Sequence, residues 1–258
     1  MYAGGGEIAL HTPNEGVSAA RNLGIKSATG DFLMFVDADD ELREDCVESL
    51  MVHSTGMKMV ACEAMDIADG ELQQGFVACE NETLEKTFIQ DNVFYEYFTR
   101  SGFACSLCTK LFRKELFNDI AIPEDIRYGE DARTMTRICS LCDKMVYLPE
   151  KMYLRHLHAG SATARLSVRS IVESVGVFTD RIAFFSGKNS QNVQYSVWQK
   201  LDCIRALFER AKNEPISEKT TAKEFLVGAY LLTLLRFPFN CIRFGTLMWL
   251  FKAVTTKI

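Results

Sequence analysis

The sequence predicts an α/β fold, and two adjoining segments carry that prediction. Residues 31–40 read Asp-Phe-Leu-Met-Phe-Val-Asp-Ala-Asp-Asp, an apolar run that closes in Asp37, Asp39 and Asp40. A run so rich in β-formers reads as a buried strand, Phe32–Val36, with acidic residues at its exit. The stretch just before it, Asn14 to Gly30, sets Val17, Ala20, Leu23 or Gly24, and Ser27 or Ala28 at helical spacing. In open α/β sheets, ligands bind just beyond the carboxyl ends of the strands.

Taken in order, the helix starts at Ser18 or Asn14, and Gly30 ends it as a C′ glycine. Past the strand, an extended chain points Asp37 and Asp39 the same way, and Asp40 begins the turn. Carboxylates this close repel unless a cation or hydrogen-bond donors offset them, and hard oxygen ligands suit Mg2+ or Mn2+. A plainer reading of the same residues is a cap. Asp39 or Asp40 then caps a helix over Leu42–Leu50, with Glu41 and Glu44 at its positive end.

An apolar strand is expected near Met57–Cys62. Residues 63–82 are polar, with a turn signal at Asp69-Gly70, and read as a hairpin with Phe76-Val77. Residues 85–118 read as helical, followed by a loop from Pro123 to Gly129 and a helix from Asp131. Residues 165–213 read as further helices, broken by a loop at Lys188 to Asn192. Glu214 to Glu218 is the clearest linker, and an apolar tail runs from Phe225 to Val254.

Composition narrows the function. The chain has 258 residues, 48% of them apolar, which is enough for a large core, and a net charge of −5. That balance, without a basic run, excludes nucleic acid as a partner. The first residues lack the charged, apolar and small-residue order of an export signal, so a cytoplasmic location is expected. Nine cysteines fit a reducing compartment, with thiols as small core residues. Cys105/Cys108 and Cys139/Cys142 form two C-x-x-C units, but their interval is longer than a common zinc ribbon's, so buried thiols are the preferred reading. The tail is interrupted by Arg236, Pro238 and Arg243, which argues against a membrane span. Its aromatics and flanking cations fit a helix lying on the inner face of the membrane. A helical hairpin packed on the rest of the chain is the preferred reading.

Asn14 to Gly30 together with the acidic strand resembles the glycosyltransferase family 2 pattern on the GT-A fold: N-x-G-x-S-x-A-R-N-x-G-I-x-x-A-x-G, an apolar strand, then D-x-D-D. Three later blocks add to the resemblance. Lys110-Leu-Phe-Arg-Lys-Glu-Leu-Phe117 is similar to the family's K-L-[YF]-[RK]-[RK]-E-L-[FL]. Glu130-Asp131 resembles its acceptor-side E-D motif, and Met152-Tyr153-Leu-Arg-His with Gly160-Ser161 resembles its closing Y-x-Y-R…G-S segment. The implied architecture is a GT-A-like, Rossmann-like mixed sheet flanked by helices over residues 1–165. A helical C-terminal region, residues 166–258, follows.

The resemblance implies an inverting transfer of a sugar from a nucleotide-diphosphate sugar to a hydroxyl. The acceptor is a glycan or lipid-linked molecule of cell-surface polysaccharide synthesis. A divalent cation, Mn2+ or Mg2+, then offsets charge on the leaving diphosphate. Asp39 is its first ligand, with Asp37 and Asp40 as neighbours for metal or ribose. Arg21 and Asn14 complete the donor side, and Asp131, with Glu130 beside it, is the general base. Each has a bland counterpart: Arg21 as a solvated helix residue, Glu130-Asp131 as a helix cap. His156 and His158 read as acceptor-side contacts or, more simply, as structural histidines. Glu124-Asp125 lacks a following helical run and is set aside.

Family members begin with a strand of the type V-S-V-I-I-P-x-Y-N, a helix, and a second strand ending D-D-G-S. Here Met1 to Gly6 leads straight to Glu7 to Leu10, the strand that comes third in the family. The expectation is a fold truncated at its N-terminus, with an exposed sheet flank that favours self-association. The rival function is a non-catalytic remnant that pairs this sheet edge with another chain.

Overall fold

A computed structural model describes residues 8–68, 86–157, 166–213, 218–237 and 253. The first helix, α1 (Val17–Ser27), turns its small polar residues Ser18 and Asn22 inward. It leads to β1 (Phe32–Met34) and, after a turn, to β2 (Glu41–Leu42) and α2 (Cys46–Val52). β3 (Met59–Ala68), β4 (Thr87–Gln90), α3 (Val93–Phe98), β5 (Lys110–Arg113), α4 (Glu130–Leu141) and β6 (Lys144–Leu157) complete the sheet region. Three long helices come next: α5 (Val168–Phe185), α6 (Ser190–Asn213) and α7 (Lys219–Arg236).

The sheet is mixed, in the order β1-β5-β3-β6-β2, with β4 also pairing β6. Among the described strands only β3 and β6 run parallel; the remaining pairs are antiparallel. β6 is long enough to take β4 along its first half and β2 along its second.

Strand alternation assigns the two faces. Met59, Ala61, Phe112, Met145 and Tyr147 join α3 and α4 in one apolar cluster. Their neighbours Val60, Cys62, Leu111, Val146 and Leu148 join Cys46 and Leu50 of α2 in another. A third cluster joins α5, α6 and α7 around Ile171, Val197, Leu226 and Tyr230. α5 also sends Phe185 into the first cluster, where it stacks on Phe94.

Several expectations change. Ile8 to Leu10 form no strand, and Ile8 is 81% exposed. Phe32 to Met34 are half-buried and Val36 is exposed, because among the described strands β1 pairs only with β5. α1 is capped by Gly16, not by Ser18 or Asn14; Asn14 instead accepts a hydrogen bond from the Gly16 N–H at 3.3 Å. α1 ends at an extended Ala28, and Gly30 is outside the left-handed region. The helix after the acidic turn starts later, with Asp45 at its cap, because Glu41 and Leu42 pair with β6 instead.

The helix expected over 85–118 is two strands, one short helix and a 3-10 turn. Lys110 to Phe112 sit between β1 and β3 and are covered on both faces, which overrides local helix propensity. Residues 63–68 continue β3, and the rest of the expected hairpin, with most of the tail, lies outside the described residues. Among those described, no helix is long and apolar enough to cross a membrane.

One contact fixes how α1 meets the loop before α4. Asn22 donates from Nδ2 to the Ile122 carbonyl at 2.8 Å and accepts the Ile122 N–H at 2.9 Å, as a strand neighbour would. The same nitrogen reaches Glu124 at 2.7 Å. Asn22→Ala leaves both buried Ile122 groups unpaired, and we expect a loss of about 2–4 kcal/mol. Urea unfolding measures it; a loss below about 0.5 kcal/mol, ordinary for a surface change, contradicts the clamp.

Candidate active site

The residue beside that clamp faces the other way. Arg21 donates to Asp37 Oδ1 at 2.8 Å and to Asp131 Oδ1 at 2.7 Å, and its Nη1 lies 3.6 Å from Glu130 Oε1. α1, the exit of β1 and the first turn of α4 thereby meet at one guanidinium. Burial works against the Arg21 charge, but Asp131 and Asp37 outweigh it and hold the guanidinium ionised.

The acidic stretch is a tight turn rather than an extended segment, since the Asp40 N–H bonds the Asp37 carbonyl at 3.1 Å. Its carboxylates divide. Asp37 and Asp39 line a cleft of about 720 Å3, together with Arg21, Glu130 and Asp131. Asp40 is not among the cleft-lining residues: it accepts from the Tyr153 hydroxyl at 2.6 Å and from the His156 N–H at 2.9 Å. Tyr153 in turn accepts the Asp37 N–H at 3.1 Å. Burial, then Asp40, raise the Tyr153 pKa, so it stays a protonated donor. Asp40 is therefore a fastener of the turn. His156 acts through its backbone, and its ring faces Glu41 at 3.1 Å, away from the cleft. His158 lies outside the described residues, and Asn14 is not among the cleft-lining residues.

Among the described residues no group of three or more His, Cys, Asp or Glu is arranged to hold a metal. Asp37 and Asp39 nevertheless fit a small hard cation shared with a diphosphate, which needs only one or two carboxylates from the protein. The cysteine pairs match their thiol reading: Cys108, Cys139 and Cys142 are buried and free, and burial raises their pKa values.

Asp131 has both carboxylate oxygens engaged, the second accepting the Leu107 N–H at 3.1 Å. Burial raises its pKa, with Arg21 and that N–H opposing. Burial and the Asp131 charge raise Glu130 as well. The Leu107 loop is anchored by Lys110, fully buried, whose ammonium donates to the Phe103 and Cys108 carbonyls and to the Thr109 hydroxyl. Burial pushes Lys110 down to about 8. Thr109 itself has φ 68, a strained value for a β-branched residue, beside the buried Lys110 ammonium.

Sequence reasoning missed three contributors. Arg155 lines the cleft, forked onto Asp66 by two 2.8 Å bonds and stacked over Phe103. Tyr153 and Arg155 carry a sequence signal only as members of the closing segment. From α5, Glu173 accepts the Arg127 and Tyr128 N–H groups, each at 3.0 Å, and so fixes the turn that delivers Glu130 and Asp131. Gly129, at φ 86, packs so tightly on α5 that a Cβ there would sit 2.2 Å from Val177 Cγ2. No local pattern signals a contact between residues this far apart in the chain.

Known proteins share this arrangement of sequence and fold. Residues 4–120 match Glycosyl transferase family 2. The chain is 28% identical over 240 residues to Glycosyltransferase GlyA of Streptococcus pneumoniae serotype 4, covering 86% of this chain and 33% of that protein. It is 24% identical over 161 residues to the minor teichoic acid biosynthesis protein GgaB of Bacillus subtilis, covering 61% of this chain and 17% of that one. The chain thus spans a third or less of the length of these two relatives. The crystal structure of S. aureus TarS 1-349 in complex with UDP-GlcNAc superposes with a TM-score of 0.58 at 15% identity, over 95% of this chain and 71% of that one. This agreement places the sheet and its helices in the GT-A fold.

Gly129→Ala should destabilise the protein by about 2–3 kcal/mol, from backbone strain and overpacking. Adding Val177→Ala should recover part of the loss by removing the clash. Thermal unfolding of both variants measures this; a double variant no better than the single one places the cost elsewhere.

Proposed function

The chain belongs to glycosyl transferase family 2, and we propose that it moves a sugar from a nucleoside-diphosphate donor to a hydroxyl, with inversion at the sugar carbon. The acceptor is a glycan or a lipid-linked molecule of cell-surface polysaccharide synthesis, as the kinship with GgaB supports. UDP-GlcNAc is the ligand in the TarS crystal structure, which favours a uridine donor here. The observation that carries the reading is Asp131, held between Arg21 and the Leu107 N–H at the wall of a cleft of about 720 Å3.

In this reading Asp131 accepts the proton of the acceptor hydroxyl as its oxygen attacks the sugar carbon opposite the departing diphosphate. Its raised pKa makes it a better base than an exposed aspartate. Arg21 has donors committed to Asp37 and Asp131, so we assign it to aiming the base. Glu130 supports the negative field around Arg21. Asp39 and Asp37 would hold a divalent ion, Mg2+ or Mn2+, which would supply charge neutralisation for the leaving group. Arg155, beside Phe103, is placed to meet a phosphate or a sugar hydroxyl.

Two measurements test this. Calorimetric titration with uridine and guanosine diphosphates should show binding that Mn2+ strengthens and Asp39→Ala removes. A folded chain that binds neither nucleotide favours the non-catalytic alternative. For the base, only the ionised carboxylate accepts a proton, so turnover should fall as pH drops through the raised Asp131 pKa. Asp131→Asn should lower kcat by about 100-fold or more and abolish that acidic limb. A limb that survives in Asp131→Asn assigns the base elsewhere.

A further inference from the structure

α4 and α5 also line a second cavity of about 260 Å3, which shares no lining residue with the cleft. Three arginines line it, Arg133 and Arg137 from α4 and Arg181 from α5, against a single carboxylate among the described residues, Asp180. Asp180 is paired with Arg133 at 2.7 Å, which leaves two positive charges in excess.

Arg181 is the unusual member. It is 1% exposed, yet among the described residues no carboxylate pairs with it. Its guanidinium donates to the Thr136 hydroxyl at 3.0 Å, to Gln199 Oε1 at 2.8 Å and weakly to Cys105 Sγ at 3.8 Å. The faces of Phe94, Phe98 and Phe178 surround it at 4.8–5.2 Å. Neutral acceptors and ring faces soften the burial of a cation but supply no opposite charge. Arg133 adds a second deficit, because its Nε is buried without a hydrogen-bond partner. The exposed Arg137 side chain makes no hydrogen bond or ion pair with any described residue.

We propose that this cavity is an oxyanion site that takes a phosphate group. A guanidinium offers planar, paired N–H donors that match phosphate oxygens in forked geometry. Arg133 and Arg137 fit a tetrahedral anion with several acceptors, and Arg181, its guanidinium held by Thr136 and Gln199 among Phe94, Phe98 and Phe178, adds its charge from the core beside them. A phosphate carrying close to two negative charges at neutral pH also matches the two-charge excess. The anion tightens the seam between α4 and α5, the helix whose Glu173 fixes the Asp131 turn. The site is separate from the donor cleft and does not depend on the transferase reading.

The test is calorimetric titration of the full chain with inorganic phosphate at low ionic strength, and separately with glycerophosphoglycerol as a phosphodiester probe. We expect saturable one-to-one binding of at least one probe, weakened tenfold or more by Arg137→Glu and by Arg133→Gln. Both variants should keep the binding of uridine diphosphate shown by the parent chain. Tighter binding of inorganic phosphate identifies a free ion or monoester as the occupant; tighter binding of the diester identifies a phosphate within a polymer or lipid. No saturable binding of either, or binding that both variants leave unchanged, overturns the proposal. Arg137 is exposed, so its variant reports on the site even if Arg133→Gln fails to fold.

Discussion

One guanidinium holds the active region together. Arg21 carries a single positive charge into a group of three carboxylates, Asp37, Glu130 and Asp131. Without it those acids, drawn from distant parts of the chain, would repel one another and be driven to neutrality by burial. With it, a helix, a strand exit and a second helix are locked at one point. The neighbouring Asn22 fastens the loop that leads into that second helix. Two consecutive residues of α1, pointing to different sides, therefore set both the charge and the geometry of the cleft.

The region still carries more negative than positive charge. Burial, more than that surplus, raises the pKa values of Asp131 and Glu130. The surplus favours a cation arriving with an anionic substrate over a self-sufficient metal cage. Asp40 shows that an acidic cluster need not act as one: its neighbours in sequence face the cleft, while it is consumed by Tyr153 and the chain at His156.

How much was legible in the sequence depends on the range of the interactions. α1, the acidic exit and α4 were readable because local spacing and a long contiguous resemblance specify them. Lys110 to Arg113 was misread because its strand state comes from partners on both sides, and because a buried lysine looks like a helix-surface residue until its three acceptors are seen. Ile8 to Leu10 had strand composition but no described neighbour to pair with. Tyr153, the Leu107 N–H and Glu173 act across 24 to 116 positions of sequence. A backbone donor, in particular, carries no signature in residue type.

The grip of α5 on the turn before Asp131 bears on how such enzymes can be recombined. Glu173 and Val177 lie well beyond the stretch matched by the family, residues 4–120. A chimaera that grafts foreign helices directly after β6 would keep every acidic residue of the cleft and still hold Asp131 on a loosened loop. The workable crossover lies past Phe185, so the first C-terminal helix is inherited with the sheet. Diversification by swapping parts is then restricted to α6 and the chain beyond it.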